Sequence, residues 1–384
     1  MSDDVFQKLE DLLATVDPHS VFDFLERQFR FDKKYPHVFE TMLMRMRFEL
    51  GLPLIQTGPL DLPDLERRAY EEGFIKAARE VGTLYLADGN VVRAWPYFRA
   101  IGETAPVAAA IACLPEQEDI GPIVEIAFYE RVHPVKGFEL ILHHYGTCRA
   151  ISSLMQYPAV DGRDECLGIV SKHMETELVD NLKRTIAQVE GQAPESRCVT
   201  ELINGREWLF ENHAYYIDTS HIQSVLQMCI DLKDPVTLRS ALELAEYATH
   251  LSSMYQYSGQ PPFESYSDFV AYLRTLLGIE PEDGVSYFRA KLDKADLEQV
   301  GNAPAQLMVN LLTRLGRHEG AIDVFLSHLR NADPAQLTCP NVSQLCQMAG
   351  AFNRLKQVSL QENDLLSFAA ATLQSLPSSS NSKS

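Results

Sequence analysis

Residues 82–106 read GTLYLADGNVVRAWPYFRAIGETAP, and their alternation of small and large side chains decides the fold. Gly82 and Ala94 are small, whereas Tyr85 and Phe98 are large and aromatic. Small residues let two helix axes approach closely, and large residues fill the space beside them. We therefore expect two antiparallel helices packed as a hairpin, a pattern that predicts an architecture and no particular reaction.

The spacing of this stretch is also that of a known helical repeat. The positions concerned are Gly82, Tyr85, Gly89, Ala94, Phe98 and Pro106. Together they resemble one tetratricopeptide repeat over residues 78–106, and a weaker copy over 305–334. The weaker copy consists of Val309, Leu312, Gly316, Ala321 and Phe325. The resemblance implies a concave groove that binds a protein or peptide, although a generic stack of helical hairpins would show the same packing residues.

Helical periodicity extends along the whole chain, and strand signals are nearly absent. We predict an all-α fold of stacked antiparallel helical hairpins, a tetratricopeptide-like α/α superhelix. Proline and glycine interrupt the pattern around 51–63 and 254–267. The predicted segments are an N-terminal helical cap (1–52), a helical-hairpin stack (64–253), C-terminal helical hairpins (268–376) and a disordered tail (377–384). Single helices are predicted over 196–212 and 341–353, and Gly146 is predicted to separate two helices.

Composition limits the partners and the compartment. The chain has 384 residues and a net charge of −19, so nucleic acid and anionic membrane surfaces are unsuitable partners. No apolar run is long enough to span a bilayer, and the N-terminus lacks the apolar core of a secretory signal. Seven cysteines without regular spacing fit a reducing compartment. We expect a cytoplasmic protein.

The sequence leaves open whether the protein is an enzyme. It contains none of the common phosphate-loop, dinucleotide-loop, nucleophile-elbow or zinc-protease motifs. Histidines, however, cluster in residues 130–148 and 211–221. In the first window Glu139 and His143 are four residues apart, so both side chains share one helix face.

In the second window, Ser220 is predicted as a helix N-cap in a capping box with Gln223. His221 would then be the first helical residue, where the helix dipole favours a neutral imidazole. Asp218 could orient that imidazole or join it as a metal ligand. A non-metal enzyme that uses His221 and Asp218 as a base pair is a third possibility.

Two main functional hypotheses follow. The first is a cytosolic helical-repeat scaffold that binds a protein or peptide partner on a concave surface. The second is a metal-binding protein or metal-dependent enzyme that holds Zn²⁺ or Mn²⁺. Its candidate ligands are His133, Glu139, His143, His144, His213, Asp218 and His221. The metal hypothesis requires at least three of these to converge on one point, whereas each histidine alone also has an ordinary structural explanation.

Overall fold

The computed structural model describes residues 3–15, 18–55, 58, 62–115, 119–158 and 161–375. Helices dominate these residues and no β-strand occurs among them, which confirms the all-α fold class. The chain divides into two compact units: unit 1 comprises residues 1–150 and 157–166, and unit 2 comprises residues 151–156 and 167–384. The boundaries predicted near 52–64 and 253–268 stay predictions, and the predicted tail over 377–384 lies outside the described residues.

The helices that begin in unit 1 are α1 (Asp3–Thr15), α2 (His19–Phe31), α3 (Tyr35–Glu49), α4 (Asp64–Ala87), α5 (Val91–Ala100), α6 (Ala105–Ala112), α7 (Gly121–Val124), α8 (Pro134–Gln156) and α9 (Arg163–Glu190). A π-helix over Glu125–Tyr129 continues directly from α7. The division between the units passes through α8 and α9. Gly146 interrupts α8 with φ 79° and ψ 175°, as predicted from its glycine.

Consecutive helices of unit 1 pack against each other from α2 through α6. The α4–α5 hairpin confirms the packing expected of residues 82–106. Phe98 and Ala94 are fully buried and Tyr85 is nearly so. A Cβ atom added at Gly82 would lie 2.6 Å from Cε2 of Phe98, so the absence of a side chain at Gly82 makes room for the ring. Gly89 forms the connecting turn with φ 73°, a conformation that favours glycine.

The helices that begin in unit 2 are α10 (Val199–Ile203), α11 (Thr219–Cys229), α12 (Pro235–Thr249), α13 (Tyr266–Leu276), α14 (Pro281–Lys294), α15 (Leu297–Val300), α16 (Ala303–Arg314), α17 (His318–His328), α18 (Val342–Ala349), α19 (Phe352–Glu362) and α20 (Leu365–Gln374). Short 3₁₀ helices lie at Glu207–His213, Ser253–Tyr255 and Pro334–Gln336. From α11 to α14 and from α16 to α20, each helix packs on the next one along the chain, and α14 packs on α16.

Two predicted helices of unit 2 are wrong in extent. The helix predicted over 196–212 ends at Ile203 and is followed by a 3₁₀ turn, because Gly205 adopts φ 70°. The helix predicted over 341–353 is divided into α18 and α19, because Gly350 ends α18 in the left-handed conformation. Val309 and Ala321, two residues of the weaker pattern, are fully buried in the α16–α17 hairpin, and the repeat itself stays a prediction.

Candidate functional site

A groove in unit 1 brings together three of the seven predicted site residues. Its volume is about 310 Å³. One wall comes from α6, α7 and the segment between them, and the other is one face of α8. The lining residues are Ile111, Leu114, Pro115, Ile120, Ile123, Lys136, Glu139, Leu140, His143 and His144. The described residues that line the first wall are apolar, whereas α8 places four polar or charged side chains around Leu140.

The close packing of α8 against the π-helix depends on a glycine, Gly137. A Cβ atom added at Gly137 would lie 2.7 Å from the backbone nitrogen of Phe128, within the π-helix that follows α7. Real Cβ atoms do not approach backbone that closely, so only glycine allows α8 to cross the π-helix at this distance. Single-turn π-helices occur frequently at functional sites. The π-helix and Gly137 together set the spacing between the two walls of the groove.

His133 has a structural role at the start of α8. Its Nδ1 atom accepts a hydrogen bond from the backbone nitrogen of Lys136 at 3.4 Å. Its own backbone nitrogen donates to the carbonyl of Ala127 at 3.0 Å. These bonds satisfy an otherwise unpaired donor of the first helical turn and join α8 to the π-helix. His133 does not line the groove.

The polar rim of the groove faces solvent. Lys136 Nζ donates to Glu139 Oε2 at 3.0 Å, and the rings of His143 and His144 stand perpendicular with centroids 4.9 Å apart. Glu139, His143 and His144 are exposed, and Leu140 is half-buried against the core of unit 1. An exposed ion pair contributes at most about 1 kcal/mol, so this pair adds little to the stability of the fold.

The second histidine window lies in unit 2 and differs from the prediction. The N-cap of α11 is Asp218, and the prediction of Ser220 is wrong. The Asp218 carboxylate accepts one hydrogen bond from the Ser220 backbone nitrogen at 2.9 Å and one from the Ser220 hydroxyl at 2.7 Å. These hydrogen bonds lower the pKa of Asp218 below its ordinary value. Asp218 caps because a carboxylate is a strong acceptor for the N–H groups at a helix start. His221 is consequently the third helical residue, with Nε2 3.8 Å from Asp218 Oδ2.

Asp218 lines a separate cavity of about 570 Å³, which lies in unit 2. It is lined by Asn181, Arg184, Thr185, Tyr215, Tyr216, Ile217, Asp218, Thr219 and Tyr255. Asn181 Nδ2 donates to the carbonyl of Tyr216 at 2.7 Å, and the rings of Tyr215 and Tyr255 meet edge to face at 5.2 Å. The hydrogen bond holds the segment that precedes α11 against α9, and the ring contact joins that segment to the 3₁₀ helix at Ser253–Tyr255. Neither His213 nor His221 lines this cavity, and His213 is exposed at the end of the 3₁₀ turn.

The metal hypothesis required three converging ligands. The seven candidates are His133, Glu139, His143, His144, His213, Asp218 and His221. The first four belong to unit 1 and the last three to unit 2. Among the described residues, no group of three or more His, Cys, Asp or Glu side chains is arranged to hold a metal ion. In unit 1 only Glu139, His143 and His144 share the groove.

Sequence reasoning missed the apolar half of the groove. Ile111, Leu114, Ile123 and Gly137 are not among the predicted site residues. Nothing in a single sequence distinguishes an apolar residue that lines a groove from one that fills the core, because both follow the same spacing. The available signal was the i, i+3, i+7 placement of Lys136, Glu139 and His143 on one face.

Comparison of the chain with protein-family models, with curated proteins and with solved structures found no significant match. Within the part of the chain that the structure covers, none of the helices combines the length and the apolar character needed to cross a bilayer.

Proposed function

We propose that this protein is an interaction scaffold and that the unit 1 groove binds an apolar segment of a protein or peptide partner. The observation that carries the proposal is the composition of the groove, in which the described residues of the first wall are apolar and face Leu140 and a rim of charged and imidazole side chains. Ligand sites are typically concave and mostly apolar, with a few polar groups that fix orientation.

The charged and imidazole side chains of the rim indicate which kind of partner would fit the groove. Lys136 and Glu139 supply one charge of each sign, and His143 and His144 supply ring donors and acceptors. A peptide that inserts one aliphatic or aromatic side chain between α7 and α8 would leave its backbone amides beside these groups. Helical-hairpin stacks, including the tetratricopeptide family that residues 82–106 resemble, commonly act in this way.

Selection from a displayed random-peptide library tests the proposal. The full-length protein is the bait, and the affinity of each enriched peptide is then measured by fluorescence anisotropy. We expect enriched peptides to share one large apolar residue. Leu140→Ala should weaken their binding at least tenfold, because roughly three buried carbon atoms, each worth about 0.8 kcal/mol, are lost from the contact. Leu140→Glu should abolish binding, because a carboxylate would be left in an apolar groove.

The matched control is Leu65→Glu, which places the same residue at a strongly exposed position of α4 outside the groove. This variant should bind the selected peptides as the wild type does. The proposal is wrong if no peptide is enriched, or if the enriched peptides bind Leu140→Ala and wild type equally. Circular dichroism of each variant checks that the helices remain formed, so that a loss of folding is not taken for a loss of binding.

A further inference from the structure

The last helix of unit 2, α20, buries small side chains at Ala371 and, in part, at Ser367 and leaves its leucines exposed. Ala371 is fully buried against the rest of unit 2, and Ser367 is half-buried with its Oγ 3.3 Å from that of Ser343 in α18. Leu365 and Leu366 are each 83% exposed, and Leu373 is 68% exposed. Helices at the surface of a monomer normally show the opposite arrangement, with the apolar stripe toward the core.

The exposed face of α20 extends over two turns. Leu366, Ala370 and Leu373 follow each other at spacings of four and three residues, so they form one stripe along the helix. Leu360, near the end of α19, is also 71% exposed. Contiguous apolar surfaces of this kind mark interaction sites on proteins that are otherwise soluble. Small residues at positions 369 and 370 would let a second helix approach closely.

The charge distribution separates this face from the rest of the molecule. The whole chain carries −19, yet residues 321–384 contain four acidic and four basic residues, and α20 itself contains no charged side chain. Two copies of an acidic protein repel each other through most of their surfaces. Two copies can meet with the least repulsion at a surface that contains no charged side chains. A basic partner protein would instead be drawn to the acidic surfaces and not to this helix.

The residues that directly follow α20 offer little to cover it. Residues 376–384 read LPSSSNSKS and contain one aliphatic side chain, Leu376, apart from the proline. This composition supplies one aliphatic side chain against the three exposed leucines of α20.

We propose that α20 is a self-association surface and that its occupant is α20 of a second copy of this chain. The contact is isologous, so Leu366 of one copy packs near Leu373 of the other in an antiparallel helix pair. This inference is independent of the groove in unit 1, because it rests on a different unit and on different residues.

Sedimentation velocity of the full-length protein tests the proposal over about 1–100 µM, the range in which micromolar association is measured. We expect the wild type to sediment as a monomer of 43.2 kDa at low concentration and as a dimer of twice that mass at high concentration. The Leu366→Glu/Leu373→Glu variant should associate at least tenfold more weakly. Both positions are exposed, so the substitutions leave the core intact. The matched control is Leu65→Glu/Val189→Glu, which adds the same charge at exposed positions elsewhere and should associate as the wild type does.

Salt and truncation provide two further readouts. Association should become tighter as salt is raised, because screening weakens the repulsion between two acidic chains that meet through an apolar surface. Deletion of residues 377–384 should leave the dissociation constant unchanged. The proposal is overturned if the wild type stays monomeric, if salt weakens association, or if the double α20 variant associates as the wild type does. It is also overturned if association appears only after the deletion, since the tail would then be the occupant.

Discussion

At the scale of single residues, Asp268 is the most constrained ionisable group described in unit 2. Its side chain is 1% exposed. Oδ1 accepts from Lys291 Nζ at 2.6 Å and from the Tyr287 hydroxyl at 2.8 Å. Oδ2 accepts from the backbone nitrogens of Glu264 and Ser265, each at 2.8 Å, and so caps α13. Asp268 thereby ties the irregular segment before α13 to α14.

These contacts also determine the charge of Asp268. Burial by itself would raise the pKa of this carboxyl, but the hydrogen bonds from Lys291 and Tyr287 and from the two backbone N–H groups outweigh it and keep the pKa below its ordinary value. A lowered pKa means that the ionised form stabilises the fold above the pKa of the unfolded chain, about 3.9 for Asp. That contribution is lost as the pH falls through the lower pKa of the folded state.

We therefore expect Asp268→Asn to lower the free energy of unfolding at pH 7 by about 3 kcal/mol, because it leaves the mostly buried Lys291 without its nearest carboxylate. The difference between variant and wild type should begin to shrink below about pH 4, where the carboxyl of the unfolded chain binds a proton, and should continue to shrink until the pH falls below the lower pKa of the folded state. Urea unfolding at pH 7, 4 and 3 measures both effects.

The control is Glu264→Gln, which removes the other carboxylate near Lys291. Glu264 is about half exposed and should contribute less than about 1 kcal/mol. A destabilisation by Asp268→Asn of the same size at all three pH values would contradict the assignment of its effect to the ionised carboxylate.

At the scale of secondary-structure elements, the α4–α5 hairpin shows how much a short pattern determines. Gly82, Ala94 and Phe98 predicted a close helix pair, and the structure places the Phe98 ring against Gly82. The prediction succeeded because close packing of two adjacent helices depends on residues only 12–16 positions apart. Membership of the tetratricopeptide family is a further step, and it stays a prediction.

Gly82→Ala should destabilise unit 1 by up to about 2 kcal/mol. The added methyl group would overlap the buried Phe98 ring, and overpacking of a core costs about 1–3 kcal/mol, against a gain in helix propensity of about 1 kcal/mol. Combining Gly82→Ala with Phe98→Leu should relieve part of the loss, so the two substitutions should be coupled by at least about 0.5 kcal/mol. Thermal and urea unfolding of the single and double variants measure the coupling.

The same helix contains a matched control. The three atoms nearest to a Cβ atom at Gly73 would be Sδ, Cε and Cγ of Met46, all of them in a flexible side chain. Gly73→Ala should therefore be neutral or stabilising, because the methionine can move and alanine favours the helix. If both glycine variants lose the same stability, the contact with Phe98 is not the cause.

Helix ends were predicted less well than helix interiors. Gly205 and Gly350 each adopt positive φ and end a helix that periodicity alone would continue. At the start of α11, Asp218 and Ser220 are both residue types that commonly act as N-caps. Only the structure shows that the Asp218 side chain accepts the capping hydrogen bond. A local sequence contains several plausible caps, and tertiary contacts decide between them.

At the scale of the whole molecule, the charge determines how copies of the protein meet. The chain carries −19 at pH 7 and has an isoelectric point near 5.0. Repulsion between copies therefore disappears as the pH approaches 5, while the exposed leucines of α20 stay apolar. Proteins near zero net charge tend to associate and precipitate.

We expect the solubility of the full-length protein to be lowest near pH 5, with turbidity rising between about pH 6 and 5. Leu366→Glu/Leu373→Glu should show less turbidity than the wild type, because the apolar contact is removed. The charge-matched Leu65→Glu/Val189→Glu variant separates this effect from the added charge. A clear wild-type solution throughout pH 4.5–7.5 would contradict the expectation.

The sequence by itself determined the all-α class, most helix positions and the packing of the α4–α5 hairpin, because these depend on periodicity and on residues close together in the chain. It also pointed to Glu139, His143 and His144, which share one helix face. Only the tertiary structure decided that Ile111, Leu114 and Ile123 face that helix across a groove, and that the leucines of α20 are exposed. The groove and the exposed leucines both depend on how helices that are distant in sequence pack together. An apolar residue has the same chemistry whether a neighbouring helix covers it or not.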